Sequence, residues 1–548
     1  MTTSRPIQSR PFSGKFLFFI CFALTICFSG KVQEVAARIT ITRGTEPLPQ
    51  SVDNRDTPYF PPILSQAGNS CANAASIGYV FNYEINALRN RPVAEPANAY
   101  PFYNTYNFLN EGSTEGGTYL MYLDAWGFVR DNGIISLEDF GRQDSRATKW
   151  ITGYDKYHRG MSNRVTAIDS LSFSDEGTLE LLKQWLFDHG NGSPNGGMFL
   201  FLVSYAQIQT ATLTEGSNTG KHVMRYFGRN PDFGLHDLSV VGYDDGIRYD
   251  FNNDGSVTDD KDINNDGKVD LADSETGAFI VANSWGSDHL DGGCFYAPYR
   301  LFVTPRSDGG VFSDKAYFIG VAEEYSTERT FKITLSHGTR NALGLSVGVS
   351  ADSSATEPSA VRKINQFDHA GGAHPMQGYG ADATLEFGLD VSDLKDSLSG
   401  NKPAAYYLII DADDNNGTCE ALSLMDYTSD PPVEHAVSGT PRQLRQGETI
   451  FRIPVPASTG SNRMVARRKR MLHPSITVRN SRIHLTALPD EASAIVYLYG
   501  ADGTLLLQRN LSGSSCVLVT PPLAAGVYFL RIFNMKTERY SGTVTVVP

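Results

Sequence analysis

Cys71 follows a cluster of turn formers, Gly68-Asn69-Ser70, and opens a run in which Ala74, Ile77, Val80, Phe81 and Ile85 recur at helical spacing. The pattern predicts a thiol in the first turn of a helix, where unpaired N–H groups and the positive end of the dipole favour a thiolate. A free cysteine is more often a buried packing residue, so its position alone does not make it a nucleophile. A reactive thiol needs a base within hydrogen-bond reach, and that base needs a third group to fix its ring. Later in the chain, Leu235-His236 begins a strand-like run that ends in Gly242-Tyr243. Ala278 to Ala282 forms a second apolar run that delivers Asn283, then Ser284-Trp285-Gly286. Cys71 as nucleophile, His236 as base and Asn283 as the amide that orients it are the candidate catalytic set.

The segment between His236 and Asn283 suggests different chemistry. From Asp262, oxygen-bearing residues alternate as Asp262, Asn264 and Asp266, with Gly267 at the sixth position. Lys268 would offer a backbone carbonyl at the seventh, with Asp270 at the ninth and Asp273 at the twelfth. Alternating oxygens with a glycine at the sharp turn suit a hard cation such as calcium. An earlier half-match has Asp250, Asn252, Asp254, Gly255 and Ser256, but Lys261 falls at its twelfth position. That loop is expected to borrow Asp260 or Asp262, or to bind weakly. The bland alternative is a solvated acidic loop. The insertion, 250–273, is expected to be anchored beside His236 and Asn283, so that calcium would steady the catalytic pair.

Elements must hold these residues, and 548 residues exceed what one hydrophobic core sustains. With 41% hydrophobic and 20% charged residues the composition is that of a globular chain, not a disordered or fibrous one. A net charge of −13 argues against a general binder of nucleic acid or anionic membrane. Basic residues Arg5, Arg10 and Lys15 precede the apolar run Phe16 to Phe28, which is short for a membrane span and reads as an export signal cut after Ala37. A retained signal anchor is the alternative. Residues 38–325 mix helical and strand patterns. Residues 326–462 look all-β, with Phe331 to Leu335, Ala405 to Ile410 and Thr449 to Pro454 as strands between turns. A basic stretch, 463–472, reads as a linker, and 473–548 is again strand-turn-strand. Six cysteines, two of them in the signal and none in a CxxC pair, exclude a disulfide scaffold or zinc ribbon.

Within residues 48–320 the chain resembles the papain family of cysteine peptidases. Leu48-Pro-Gln-Ser-Val-Asp-Asn-Arg55 looks like the start of a mature papain-like domain. Gln66 and Ser70-Cys71-Ala72 resemble the active-site cysteine segment, and Gly116-Gly117 the glycine pair of the substrate cleft. His236 to Tyr243 and Asn283 to Gly286 resemble the histidine and asparagine blocks. The resemblance implies an α+β, two-lobed papain-like catalytic domain followed by two all-β, sandwich-like domains. It also implies peptide-bond hydrolysis by a Cys71 thiolate paired with protonated His236, through an acyl-enzyme. Gln66 would join the Cys71 N–H in the oxyanion hole, Trp285 would shield the His236–Asn283 bond at the cleft, and Gly116 and Gly117 would let a substrate backbone lie close.

Departures from the family pattern are plain. Gln66 is one residue nearer the cysteine than usual, and Ala72 stands where a Trp is usual. The preceding cysteine is missing, His289 replaces a second Trp, and the stretch between residue 37 and Leu48 leaves no room for an inhibitory helical propeptide. Residues 473–548, with Val496 to Gly503 and Gly526 to Ile532, resemble the C-terminal sorting domains of type IX secretion substrates. This implies that secretion machinery as a partner and a secreted or surface-attached location in a Gram-negative bacterium. The competing readings are an inactive papain-like surface-binding protein and an acyl transferase or amidase on the same scaffold.

Overall fold

The computed structural model describes residues 39–455, apart from 45–46, 114–121, 142–147, 207, 230–233 and 399–401, and beyond them the backbone of strands between Ser475 and Val546. The expected signal (1–37), the basic linker (463–472) and the glycine pair Gly116-Gly117 lie outside the described residues. The chain divides into two compact units, Met1–Ala457 and Ser458–Pro548. Among the described residues no helix is long and apolar enough to cross a membrane.

The first unit is α+β. Its main sheet contains β1 (Ser51–Asp53), β2 (Val165–Ser172), β3 (Phe199–Ser204), β4 (Gln209–Thr212), β5 (His222–Tyr226), β6 (Leu235–Arg248), β7 (Thr276–Ala282), β8 (Cys294–Pro298) and β9 (Lys315–Val321). The order is β2-β9-β3-β6-β7-β8-β5-β4, with β1 also on β6. Alternation explains why β3, β6 and β7 read as nearly continuous apolar runs. Leu200, Val241 and Ile280 face one core with Tyr79, Phe81 and Trp126. Phe201, Val240 and Val281 face the other with Trp185 and Phe302. Both faces of the sheet are covered, so neither set of side chains is left polar. Gly242 is required where β1 crosses β6, since a Cβ there would sit 2.1 Å from the Val52 carbonyl oxygen.

Helical spacing after Cys71 predicts an α-helix. The structure has α-helical Cys71–Asn73, then π-helical Ala74–Phe81, then α-helical Asn82–Arg89. Side chains reach the backbone carbonyls of this stretch: Asn82 Nδ2 donates to Ile77 O (2.9 Å) and Gly78 O (3.2 Å), Trp126 Nε1 to Ser76 O (2.9 Å), and Ser239 Oγ to Ala75 O (3.2 Å). Such external donors offset the poorer ladder geometry of a π turn, a feature often found at functional sites.

Residues 329–454 form two antiparallel sheets. One joins Thr384–Asp390, Arg329–Ser336, Thr418–Asp426, Val433–Ala436 and Arg442–Gln443; the other joins Ala360–Lys363, Leu343–Ser350, Ala405–Ala412 and Gly447–Pro454. Their core is continuous with residues from earlier in the chain: Phe108 stacks on Trp150 (4.5 Å) and meets Phe367 edge-on (5.7 Å). A buried ion pair, Arg164–Asp390 at 2.6 Å, crosses the same contact. The second unit holds a three-stranded sheet (Ser475–Arg479, Arg482–Thr486, Ser515–Val519) and a four-stranded one (Leu505–Leu511, Ala494–Tyr499, Gly526–Asn534, Arg539–Val546).

Candidate active site

Antiparallel pairing of β6 and β7, with Ser239 opposite Ala282, brings the start of β6 beside the residue that follows β7. His236 Nε2 consequently lies 2.8 Å from Asn283 Oδ1. An amide oxygen can only accept, so Nε2 carries the proton and Nδ1 is the basic nitrogen. Asn283 is fully buried, and its Oδ1 also accepts the Ser284 N–H (2.7 Å). Its backbone carbonyl accepts from Tyr79 Oη on the Cys71 helix (2.8 Å), while Tyr79 Oη takes the Leu64 N–H (2.8 Å). One tyrosine thus ties the helix of the thiol to the strand end that orients the histidine.

Trp285 lies with its ring centroid 5.0 Å from that of His236 and is held by the pairing of Ser65 with Trp285. The same pairing brings Gln66 in: its N–H donates to Ser284 O (2.7 Å), and its Oε1 accepts from Ser284 Oγ (2.5 Å). Gln66 Nε2 donates to Gly68 O (2.9 Å), so the amide faces the turn that leads into Cys71.

Cys71 is half-buried and free. No described hydrogen bond joins it to His236, although its helix packs on the strand that carries the histidine. Burial, reinforced by the Asp237 carboxyl, pushes the thiol up to about 12, against the pull of the Asp237, Ala72 and Cys71 N–H groups. Burial pushes His236 down to about 4, with His289 adding to this and the Asn283 bond opposing it. The resemblance implies a preformed thiolate–imidazolium pair; the electrostatics found here favour neutral thiol and neutral imidazole. The reason is desolvation, which outweighs what the helix start contributes.

Two residues at this site escaped the sequence reading. Tyr205, just past β3, accepts from Asn283 Nδ2 at 3.4 Å and lies against His236 (5.1 Å) and Trp285 (4.6 Å). Its hydroxyl is 3.2 Å from His289 Nε2, which puts His289 in the aromatic wall. The only hint in the sequence was its place at the end of an apolar run, and the pairing of Val203 with His236 was needed to use it. Asp237 is the other.

The acidic insertion is a near-repeat. Asp254 N–H and Gly255 N–H bond to Asp250 (3.2 and 2.8 Å), and Asp266 N–H and Gly267 N–H bond to Asp262 at the same distances. Asn252 and Asn264 cap Asp254 and Asp266 in the same manner, and the Ser256 and Lys268 N–H groups close each turn on Asp254 and Asp266. Asp273 Oδ1 gathers the Ile263 and Asn264 N–H groups. In the first loop that part is played neither by Asp260 nor by Asp262: buried Glu275 gathers the Phe251 and Asn252 N–H groups (2.7 and 3.3 Å). Lys261 instead pairs with Asp254 at 2.7 Å. Asp270 caps the short helix that leads to Asp273. The donor set is all oxygen, which fits a hard cation. As placed, though, its carboxylates serve the loops' own N–H groups, and no three His, Cys, Asp or Glu side chains gather round one point among the described residues. The insertion also hangs from the far end of the hairpin, where Arg248 pairs with Thr276. His236 is at the other end of β6, roughly 40 Å along the strand at about 3.3 Å per residue. The expected anchorage beside the catalytic pair is therefore corrected: the hairpin closes at one end of β6, and His236 sits at the other.

No family model matches the chain, and no curated protein matches it. Among solved structures it is similar to xylellain, a cysteine protease from Xylella fastidiosa, at 17% identity and a TM-score of 0.31, over 51% of this chain and 90% of that one. It is similar to the bromelain protease from Ananas comosus at 14% and 0.31, over 50% and 99%. A procathepsin B from Trypanosoma congolense matches at 13% and 0.31, over 52% and 83%.

Proposed function

We propose that the chain is an exported, papain-like cysteine peptidase in which Cys71 attacks the peptide carbonyl. The observation that carries this is the buried His236 Nε2–Asn283 Oδ1 bond, which leaves Nδ1 as base beside a strand that also contacts the Cys71 thiol. As the Sγ–C bond forms, the thiol proton passes to His236 Nδ1. The imidazolium then gives that proton to the departing amine, and a water deprotonated by the same nitrogen hydrolyses the thioester. Starting from neutral partners, the charge separation is made only in the transition state, where Asn283, the oxyanion donors and the closed cleft act most strongly. Gln66 and the Cys71 N–H serve as those donors, and Gly116 and Gly117 seat the substrate backbone. The test is covalent labelling by a thiol-directed peptidyl electrophile together with peptide hydrolysis. Both should vanish in Cys71→Ala, and full hydrolysis by that variant would end the proposal.

The reading extends to calcium and to export. Calcium would be held by Asp262, Asn264, Asp266, the Lys268 carbonyl, Asp270 and Asp273, and in the first loop by Asp250, Asn252, Asp254, Ser256 and Glu275. Its site being remote from His236, chelation should lower the melting temperature more than the turnover number; calorimetry without heat of binding at millimolar calcium would remove it. Residues 473–548 would direct type IX secretion, a reading supported by the two antiparallel sheets of that unit. Mass spectrometry of the extracellular form should then find a C-terminus near residues 463–472, not at Pro548.

A further inference from the structure

Asp237 is a buried carboxyl at the candidate site for which the mechanism has no use. It is 7% exposed, its Oδ1 has no hydrogen-bond partner, and it belongs to none of the ion pairs among the described residues. Alternation along β6 sets it with Ser239 and Val241 on the face that meets the Cys71 helix, opposite to Leu238 and Val240. The Cys71 helix packs on β6, and the Asp237 charge acts on the Cys71 thiol and on the Tyr122 phenol, whose ring lies 4.7 Å from that of Tyr317. None of these neighbours is a cation. A buried carboxyl is ordinarily paired or absent, because its desolvation is costly. Burial alone holds this one up at about 8.

Resting on the peptidase reading, we propose that Asp237 is a specificity-determining residue that receives a lysine or arginine side chain of the substrate, close to the scissile bond. A bound cation supplies the missing partner and draws the carboxyl into its ionised form. A neutral or acidic side chain does neither.

Two measurements test this separately from the peptidase reading. The first uses peptides that differ only by arginine against its neutral isostere citrulline, placed in turn at each residue flanking the cut. At one position the parent should favour arginine in kcat/KM by about tenfold or more, the scale of one unit of pKa. The ratio should fall to near one in Asp237→Asn and return in Asp237→Glu. The preference should grow from pH 6 to 9 as the carboxyl ionises, against the background of Cys71, His236 and Tyr122. The second measurement needs no hydrolysis and no variant. Cys71 of the full chain is modified by cationic and neutral methanethiosulfonates of equal size, and the cationic reagent should react faster, increasingly so with pH. Charge-selective modification without peptide hydrolysis would remove the peptidase reading and keep the carboxylate site. Hydrolysis with no arginine preference at any position, or equal modification by the two reagents, would overturn the assignment of Asp237.

Discussion

Two histidines of the first unit, His189 and His236, are driven in opposite directions. His189 ends the helix Glu176–Asp188 in a left-handed conformation, with Nδ1 on Asn195 O (2.9 Å) and Nε2 on Glu84 Oε2 (2.7 Å). Burial pulls it down, yet the charge and hydrogen bond of Glu84 outweigh this, and its net shift is upward. His236 is more deeply buried, its partner is an amide, and burial takes it down to about 4. Desolvation pulls both rings down, and the charge of the partner reverses the sign only for His189. A charged partner makes a structural ion pair. A neutral one leaves a ring that resists protonation at rest and can still accept a proton when a neighbouring thiol surrenders one.

The strongest test of that contrast is to delete each ring. His236→Ala should lower kcat/KM by about 10³-fold or more, with a melting temperature near that of the parent. His189→Ala should leave Glu84 buried without its cation and cost about 3–5 kcal/mol of stability, while hydrolysis per folded molecule changes little. Urea unfolding alongside steady-state kinetics separates the two. Equal losses of activity would mean that His189 belongs to the site.

A smaller effect comes from pH. His189, raised in the folded state, contributes stability that is complete below its unfolded value near 6.5 and is lost as pH rises through the folded value. His236 has the opposite sign. Its contribution is complete above about 6.5 and is lost as pH falls toward 4, a change of about 3 kcal/mol for a shift from 6.5 to about 4. Glu84→Gln should abolish the first dependence and leave the second; urea midpoints at pH 4.5, 6.5 and 8.5 would show it. A variant that keeps the alkaline loss would assign that loss to another group.

What could be read from the sequence follows the same division. Cys71, His236 and Asn283 stand out in the sequence as candidates because a thiol after turn formers and polar residues at the ends of apolar runs are local signals, and the structure brings His236 and Asn283 together. The runs around Ile333, Tyr407 and Phe451 were legible as strands for the same reason. Partnerships that cross the sheet were not. Tyr205 depends on the register of β3 against β6, and Glu275 on a loop closing back over more than twenty residues. The orphaned carboxyl of Asp237 appears only once its neighbours are known to lack a cation. The π-helical stretch likewise needs Asn82 and Trp126 in place, since its residues alone carry α-helical spacing.

The smallest predicted change is also the most pointed, because it gives the cleft histidine the kind of partner its structural counterpart has. Asn283→Asp keeps the shape of the side chain and replaces the amide with a carboxylate. Oδ1 can still accept from His236 Nε2 and from the Ser284 N–H, as it does now at 2.8 and 2.7 Å. The lost Nδ2 donor is tolerable, since the Tyr205 hydroxyl can turn and donate to the new oxygen over the same 3.4 Å gap. The charge should raise His236 by about one to three units, the usual effect of an adjacent opposite charge, and so flatten the acid loss of stability. It does not help the thiol, because a second carboxylate joins Asp237 in opposing ionisation of Cys71. Turnover should therefore fall by about tenfold, with its acid limb displaced upward in pH, while KM changes less. Imidazole NMR of the purified variant reads the shift directly. A His236 resonance that titrates as in the parent would show that burial, not the partner's charge, sets this ring, and the contrast with His189 would lose its cause.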